Sequence, residues 1–341
     1  MAAYFLRQGL TVCGIDNLMR PGSETNRNRL REDGVEFVHG DIRSASDVAG
    51  LPKCDWVVDA AANPSVLAGL HGVSGSAQLV EHNLISLVHI LEYCKKHGAG
   101  LFVISSSRVY SIPALAGLPM RDTCEAFVLD DTVALPFGVS AKGIAREFST
   151  SAPVSLYGAT KLAGEVLALE YGEAFGFPVW VNRCGVLAGA GQFGTPDQGI
   201  FAYWVNACLR KRPRRFIGWD GKGKQVRDAL HPIDLGRLLL IQAKIPGSGG
   251  QRIYTAGGGP ANAMSLQQLE AWCHERFGTT DVPTPDAEPR RYDIPWAVMD
   301  SSAATADFGG WTPLVSLPEI LEGIAQHAEA HPDWLTRSGL S

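Results

Sequence analysis

The sequence predicts an α/β protein, a Rossmann-type doubly wound parallel sheet with a smaller α/β substrate-binding domain. Three observations carry that expectation. Short apolar runs at 11–15, 36–39, 56–58 and 101–104 alternate with helix-period segments, notably 79–96. The runs are continuously apolar rather than alternating, as in a parallel sheet covered on both faces. Each run ends in polar or small residues, Asp16-Asn17, Gly40-Asp41, Asp59-Ala60-Ala61-Ala62 and Ser105-Ser106-Ser107, at the carboxyl ends where such sheets bind ligands.

Residues 2–8 read as the tail of a helix closed by Gly9. Asp16 ends the next strand. In dinucleotide-binding folds an acid at the end of the second strand accepts hydrogen bonds from the adenosine ribose hydroxyls and favours NAD over its 2′-phosphorylated form. A turn-forming Asp before Asn17 is the alternative. A Gly-rich phosphate loop is expected roughly 20 residues before that acid. Fifteen residues precede Asp16 and none of them form it, so the first strand and the pyrophosphate cradle are expected upstream of Met1, leaving a slot between their neighbours in the sheet. Asp41-Ile42 suits the adenine rim, or Asp41 caps the helix that follows. Residues 111–155, rich in Ala, Pro and Gly with little periodicity, read as a long connection bordering the ligand pocket. The expected domains are 1–190 completed by 226–257 for the dinucleotide, and 191–225 with 258–341 for the substrate.

The chain has 341 residues, 45% of them hydrophobic, enough for a substantial core. Its net charge of -5 and lack of long basic runs argue against nucleic acid as a partner. The densest cluster, Arg210-Lys211-Arg212 with Arg214-Arg215, is broken by Pro213 and reads as a solvated helix end. Seven scattered cysteines show no zinc-type spacing, so no metal is expected, and a reducing cytoplasm fits them. No apolar stretch approaches the 18 or so residues of a membrane span.

Tyr157 and Lys161 stand four apart and share a helix face. A phenol beside a cation is more readily deprotonated. Such a tyrosine could take a proton from a sugar or alcohol hydroxyl while hydride leaves the same carbon. The pair alone is a weak signal. The serine run about fifty residues upstream gives it a partner at a strand end, although three serines after a strand also suit a plain turn.

The ordered set of Asp16-Asn17-Leu18, Gly40-Asp41-Ile42, Ala60-Ala61-Ala62, Asn83 opening a helix, Ser105-Ser106-Ser107 with Val109-Tyr110, and Tyr157 with Lys161 resembles the extended short-chain dehydrogenase/reductase superfamily, the NAD-dependent epimerase/dehydratase family, over nearly the whole chain. Segments 192–199 and 223–231, the Gly22-Ser23-Glu24-Thr25-Asn26 run, and Arg290 with Asp293 and Asp300 narrow the resemblance to its CDP-paratose (CDP-tyvelose) 2-epimerase branch.

That resemblance implies NAD as cofactor and a nucleotide-sugar substrate, epimerised through a transient keto-sugar at C2 of a CDP-sugar. It implies Ser106 as the hydroxyl partner of Tyr157, with Ser107 as the fallback, and Lys161 on the nicotinamide ribose. Asp16, Asn17, Asp41, Ile42, Ala60, Ala61, Ala62 and Asn83 would line the cofactor. Gln192, Gln198, Arg227 and Arg290 would meet the substrate, the two arginines as forks for its pyrophosphate. From the residues alone, Arg227 equally suits an ion pair with Asp228 or Asp234. The helices around 79–96 and 157–171 would form a homodimer or higher oligomer. Dehydratases of the same fold place an Asp-Glu pair where Ser107-Arg108 stands here, which disfavours dehydration, and a Glu at the Arg108 position would mark a decarboxylating relative. A 4-epimerase stays open, because the same Ser, Tyr and Lys serve whichever carbon faces the cofactor. So does a non-catalytic dinucleotide-binding or scaffold protein, given the missing loop and Ser111 where relatives usually keep Gly.

Overall fold

The computed structural model describes residues 1–70, 75–247 and 249–340. The chain divides into two compact units, the first made of 1–109, 155–183 and 233–254, the second of 110–154, 184–232 and the chain from 255 onward.

In the first unit β1 (Cys13–Asp16) pairs in parallel with β2 (Glu36–His39), setting Asp16 opposite His39. β3 (Trp56–Asp59) pairs in parallel with β4 (Gly100–Ser106), setting Asp59 opposite Val103. The second sheet continues from β4 to Val179–Cys184 and then Ile253–Ala256. Among the described residues no strand joins β1 to β3, so the α/β architecture is present with its parallel strands in two sheets. β4 is buried at every position up to Ser105, which explains its unbroken apolar run. Gly100 starts it for a steric reason: a Cβ there would stand 2.4 Å from the Trp56 ring, which stacks on Phe102 at 4.4 Å.

The segment expected as one helix over 79–96 runs as Ser76–Val80, a π-helical turn Glu81–Ile85 and Ser86–His97, closed by Gly98 at φ 68°. Asn83 therefore does not open a helix. It lies in the π-turn, where the wider winding re-aims its side chain toward neighbouring segments. Leu87, Ile90, Leu91 and Cys94 form the helix's buried stripe and pack with Leu101, Val103, Ala168 and Val181. Burying a leucine such as Leu91 contributes about 1.5–3 kcal/mol.

The long helix Ser155–Phe175 buries Tyr157, Lys161, Glu165, Ala168 and Gly172, a stripe at 3.6-residue spacing that mixes polar and small residues. Ser155 Oγ accepts from Gly158 N at 3.1 Å and ties the first turn. Gly164 brings this helix close to the preceding one, since a Cβ there would lie 2.9 Å from Leu87.

The second unit packs helices Ile200–Leu209, Leu266–Phe277 and Leu317–Ala330 around Trp204, Val205, Leu269, Ile320 and Ile324. Ser265 and Ser316 start the latter two with capping boxes, each contributing about 1 kcal/mol. Strand Val226–Leu230 pairs with Val186–Leu187, Ala263–Ser265 and Trp296–Ala297.

Two expectations change here. The 111–155 connection carries a short helix, Ile112–Ala116, and two antiparallel strand pairs, Met120–Asp122 with Phe127–Leu129 and Val139–Ser140 with Gly143–Ile144. These elements are too short to leave a periodicity in the sequence. The basic cluster at 210–215 is only partly solvated. Arg214 is 3% exposed and reaches Glu270 at 2.7 Å and Asp281 at 2.8 Å, while Arg210 donates to the carbonyls of Ala328 and His331 at 2.6 and 2.7 Å. Charged side chains enter the interior here because each finds an acceptor. Cys208, Glu270 and His274 bring ligand-type atoms within 4.8 Å of one another. Glu270 there already accepts from Arg214 and from Trp204 Nε1 at 2.6 Å, which makes the group an ion-pair network. Among the described residues no helix is long and apolar enough to cross a membrane.

Candidate functional site

Tyr157 and Lys161 lie on the buried stripe of the long helix at 6% and 5% exposure. The Lys161 ammonium reaches the carboxyl end of β4 and donates to Ile104 O at 3.2 Å. The next residue separates the serines. Ser105, buried, donates its hydroxyl to Glu165 one turn beyond Lys161, and Arg183 donates to both Glu165 oxygens at 3.1 Å through Nε and to Oε2 at 2.7 Å. Ser106 ends the strand on the opposite face, half-exposed, and its Oγ accepts from Arg108 N at 3.1 Å. Ser107 begins a 3₁₀ turn, Ser107–Val109. Of the three serines, Ser105 is committed to the interior.

Asn83, 4% exposed, fixes a second approach to the same helix. Its Oδ1 accepts from Asn63 N at 2.8 Å, and its Nδ2 donates to Asn63 O at 3.1 Å and Thr160 Oγ1 at 3.2 Å. Thr160 in turn donates to Tyr157 O at 2.8 Å. The loop that carries Ala60, Ala61 and Ala62 is thereby pinned to the turn between Tyr157 and Lys161. Asp59, at the root of this loop, accepts from Ala61 N at 3.3 Å. Burial pushes its carboxyl up from the ordinary range, against the pull of the Lys161 charge.

At β1 the exposed Asp16 uses Oδ1 to accept from Leu18 N at 2.7 Å, so it forms the turn that the sequence offered as an alternative while remaining at the strand end. Asp41 accepts from Arg43 at 2.6 Å and from Asn17 Nδ2 at 2.9 Å; the Arg43 guanidinium holds it well below the usual carboxylate range. It does not cap the next helix. Ser44 does, accepting from Asp47 N. Ile42 O takes a hydrogen bond from His89 Nδ1 at 2.9 Å.

In the second unit Gln192 Nε2 donates to Leu187 O at 3.0 Å, and Gln198 exchanges backbone hydrogen bonds with Thr195 at 2.7 and 3.1 Å. Gly199, at φ 64°, turns the chain into the helix Ile200–Leu209. Arg227 donates to Val226 O, to Ile294 O and to Asp293, the last at 3.4 Å, rather than pairing with Asp228 or Asp234. Arg290 pairs with Asp197. Burial and the nearby Arg290 charge disfavour the charged form of Arg227, and Asp293 supports it. Each of the two guanidinium groups thus has its own acid partner, Asp293 for Arg227 and Asp197 for Arg290.

A sequence model described as the NAD dependent epimerase/dehydratase family matches residues 1–257. The chain belongs to this family. Similar members include CDP-paratose 2-epimerase of Salmonella typhi, 27% identical over 328 residues, 93% of this chain and 91% of that protein. UDP-glucose 4-epimerase of Corynebacterium glutamicum is 25% identical over 322 residues, 92% and 86% of the two chains. The fold is that of UDP-glucuronic acid 4-epimerase from Bacillus cereus, solved with UDP-glucuronic acid and NAD, at a TM-score of 0.72 and 21% identity over 96% of this chain and 94% of that one. The family is NAD-dependent. Two side chains have chemistry that suits such a dinucleotide, the exposed Asp16 carboxylate at a strand end, as an acceptor for ribose hydroxyls, and the buried Lys161 ammonium.

The sequence reading missed the Ser105, Glu165 and Arg183 triad, the Asn63, Asn83 and Thr160 links, and Asp293 as the partner of Arg227. Only Glu165 left a signal, standing one helical turn after Lys161 on the same face.

Proposed function

We propose that the protein is an NAD-dependent nucleotide-sugar epimerase that inverts C2 of a CDP-sugar through a keto intermediate. The observation that carries this reading is the buried Tyr157 and Lys161 pair, with Lys161 bonded to the strand that ends in Ser106. Tyr157 takes the proton from the sugar hydroxyl and later returns it. Ser106, or Ser107 in its place, donates to the same oxygen as its charge changes. Lys161 stabilises the charge on the phenolate and holds the nicotinamide ribose. When bound, NAD supplies the reversible two-electron acceptor that an inversion without net oxidation requires. Asp16 accepts from the adenosine ribose hydroxyls, with Asn17, Asp41, Ile42, Ala60, Ala61, Ala62 and Asn83 along the cofactor. Arg227 and Arg290 grip the substrate pyrophosphate while the sugar turns, and Gln192 and Gln198 belong to the same subsite. Concentrating binding energy on the diphosphate leaves the reacting carbon free to present either face.

The similarity to the CDP-paratose 2-epimerase over nine-tenths of both chains favours C2; the UDP-glucose 4-epimerase likeness makes inversion at C4 the second reading. Incubating the protein and NAD with CDP-, UDP-, GDP- and dTDP-sugars and reading products by proton NMR decides between them. Inversion at C2 of a CDP-sugar is expected. Inversion at C4 of a UDP-sugar instead would sink the C2 assignment, and neither product nor NAD binding would leave a non-catalytic role.

The protein acts as a homodimer or higher oligomer in the cytoplasm. Exposed Val80 and Ile85 on one helical segment, and Leu156, Val166 and Phe175 on the long helix, supply apolar surface for self-association. The free cysteines suit a reducing compartment. Light scattering at micromolar concentration should return at least twice the chain mass.

A further inference from the structure

Two consecutive residues of β4 are held by two residues one turn apart on the long helix. Ile104 accepts from Lys161 at 3.2 Å, and Ser105 donates to Glu165. Arg183, on the strand Val179–Cys184, forks onto Glu165 from behind at 2.7 to 3.1 Å. Ser105, Glu165 and Arg183 are 4%, 1% and 5% exposed.

Stability alone is a poor explanation for this group. A buried ion pair contributes little net stability against apolar packing of the same volume. What it fixes is register. It joins the helix that bears Tyr157 and Lys161, the strand that ends in Ser106, and the neighbouring strand. Side chains alternate along a strand, so clamping Ser105 toward the helix determines how Ser106 leaves the sheet.

We propose that Glu165 is a positioning residue, its carboxylate, backed by Arg183, holding Ser105 so that Ser106 is presented in register with Tyr157 and Lys161. The proposal rests on the reading of those three residues as the acid–base group. Glu165 itself touches neither sugar nor cofactor.

Ser105→Ala deletes the hydroxyl and leaves the ion pair in place, so the fold survives; Ser105→Thr restores a hydroxyl. With the nucleotide-sugar found in the product screen, Ser105→Ala should lower kcat roughly 10- to 100-fold, the scale expected of a misplaced reacting group, with KM within about twofold of the parent and recovery in Ser105→Thr. Ser105→Ala and Glu165→Gln should be non-additive, the double variant no slower than the worse single one. Backbone amide exchange at 106–109 should quicken in both single variants. The proposal is overturned if Ser105→Ala keeps kcat within about twofold and exchange at 106–109 unchanged while only the melting temperature falls, or if the two substitutions lower kcat additively. Should the parent protein invert no sugar, the proposed function fails, and amide exchange alone decides whether Glu165 and Ser105 hold the strand end.

Discussion

The two groups of candidate residues are built in opposite ways. In the first unit Tyr157, Lys161 and Glu165 come from one stripe of one helix, and Lys161 and Glu165 meet a single strand end through buried hydrogen bonds. In the second, Asp197, Arg227, Arg290 and Asp293 come from segments spread between positions 197 and 293, and each guanidinium is matched to a carboxylate supplied from elsewhere in the chain. A proton-transfer group must be held to a fraction of an ångström, which a helix stripe does well. A site that holds a flexible diphosphate tolerates looser assembly and needs charge above all. Under the proposed function the first group carries the chemistry and the second the grip, and that contrast can be broken by experiment.

The largest effect should come from Tyr157→Phe, which removes only the hydroxyl from a buried ring. We expect turnover to fall roughly 10²- to 10⁴-fold with KM and thermal midpoint little changed. A fall in affinity without loss of kcat would reverse the assignment.

The second expected effect concerns stability, and it falls on the strand that bears Arg227. Asp228 is buried; Oδ2 accepts from Gly259 N at 3.1 Å and Met299 N at 3.2 Å, and Oδ1 makes no hydrogen bond among the described residues. Burial pushes its carboxyl up from 3.8 to about 6. Between those values the folded chain holds a proton that the unfolded chain releases, so stability falls as pH rises from about 4 to 6. Above pH 6 the folded state carries the whole cost, about 3 kcal/mol. Asp228→Asn keeps an acceptor for both amides and should raise the midpoint of urea unfolding at pH 7 while flattening its dependence between pH 4 and 6. An unchanged slope in that window would show that Asp228 does not carry the dependence.

The smallest expected effect is Arg227→Lys, which keeps the charge and loses the planar fork. KM for the nucleotide-sugar should rise about tenfold, about 1.4 kcal/mol, with kcat nearly constant. A selective loss of kcat would move Arg227 from grip to chemistry.

The same contrast decides what the sequence could disclose. The parallel strands and the Tyr157 and Lys161 pair were legible because periodicity and strand-end position are local properties, and they placed both residues on the buried stripe. Asp293 was invisible as the partner of Arg227, because nothing local to Arg227 prefers it over Asp228 or Asp234, and only the chain's path brings Asp293 within reach. Asn83 was misplaced for a related reason. A π-turn inserts its extra residue without altering composition, so the apolar pattern read as one uniform helix. In the 210–215 cluster, Arg214 looked like its exposed neighbours until Glu270 and Asp281 surrounded it.

β1 and β3 each have one strand partner among the described residues. Their other edges therefore carry backbone donors and acceptors arranged for parallel pairing, beside apolar residues such as Ile15 and Val57. Edges of that kind are templates for strand addition.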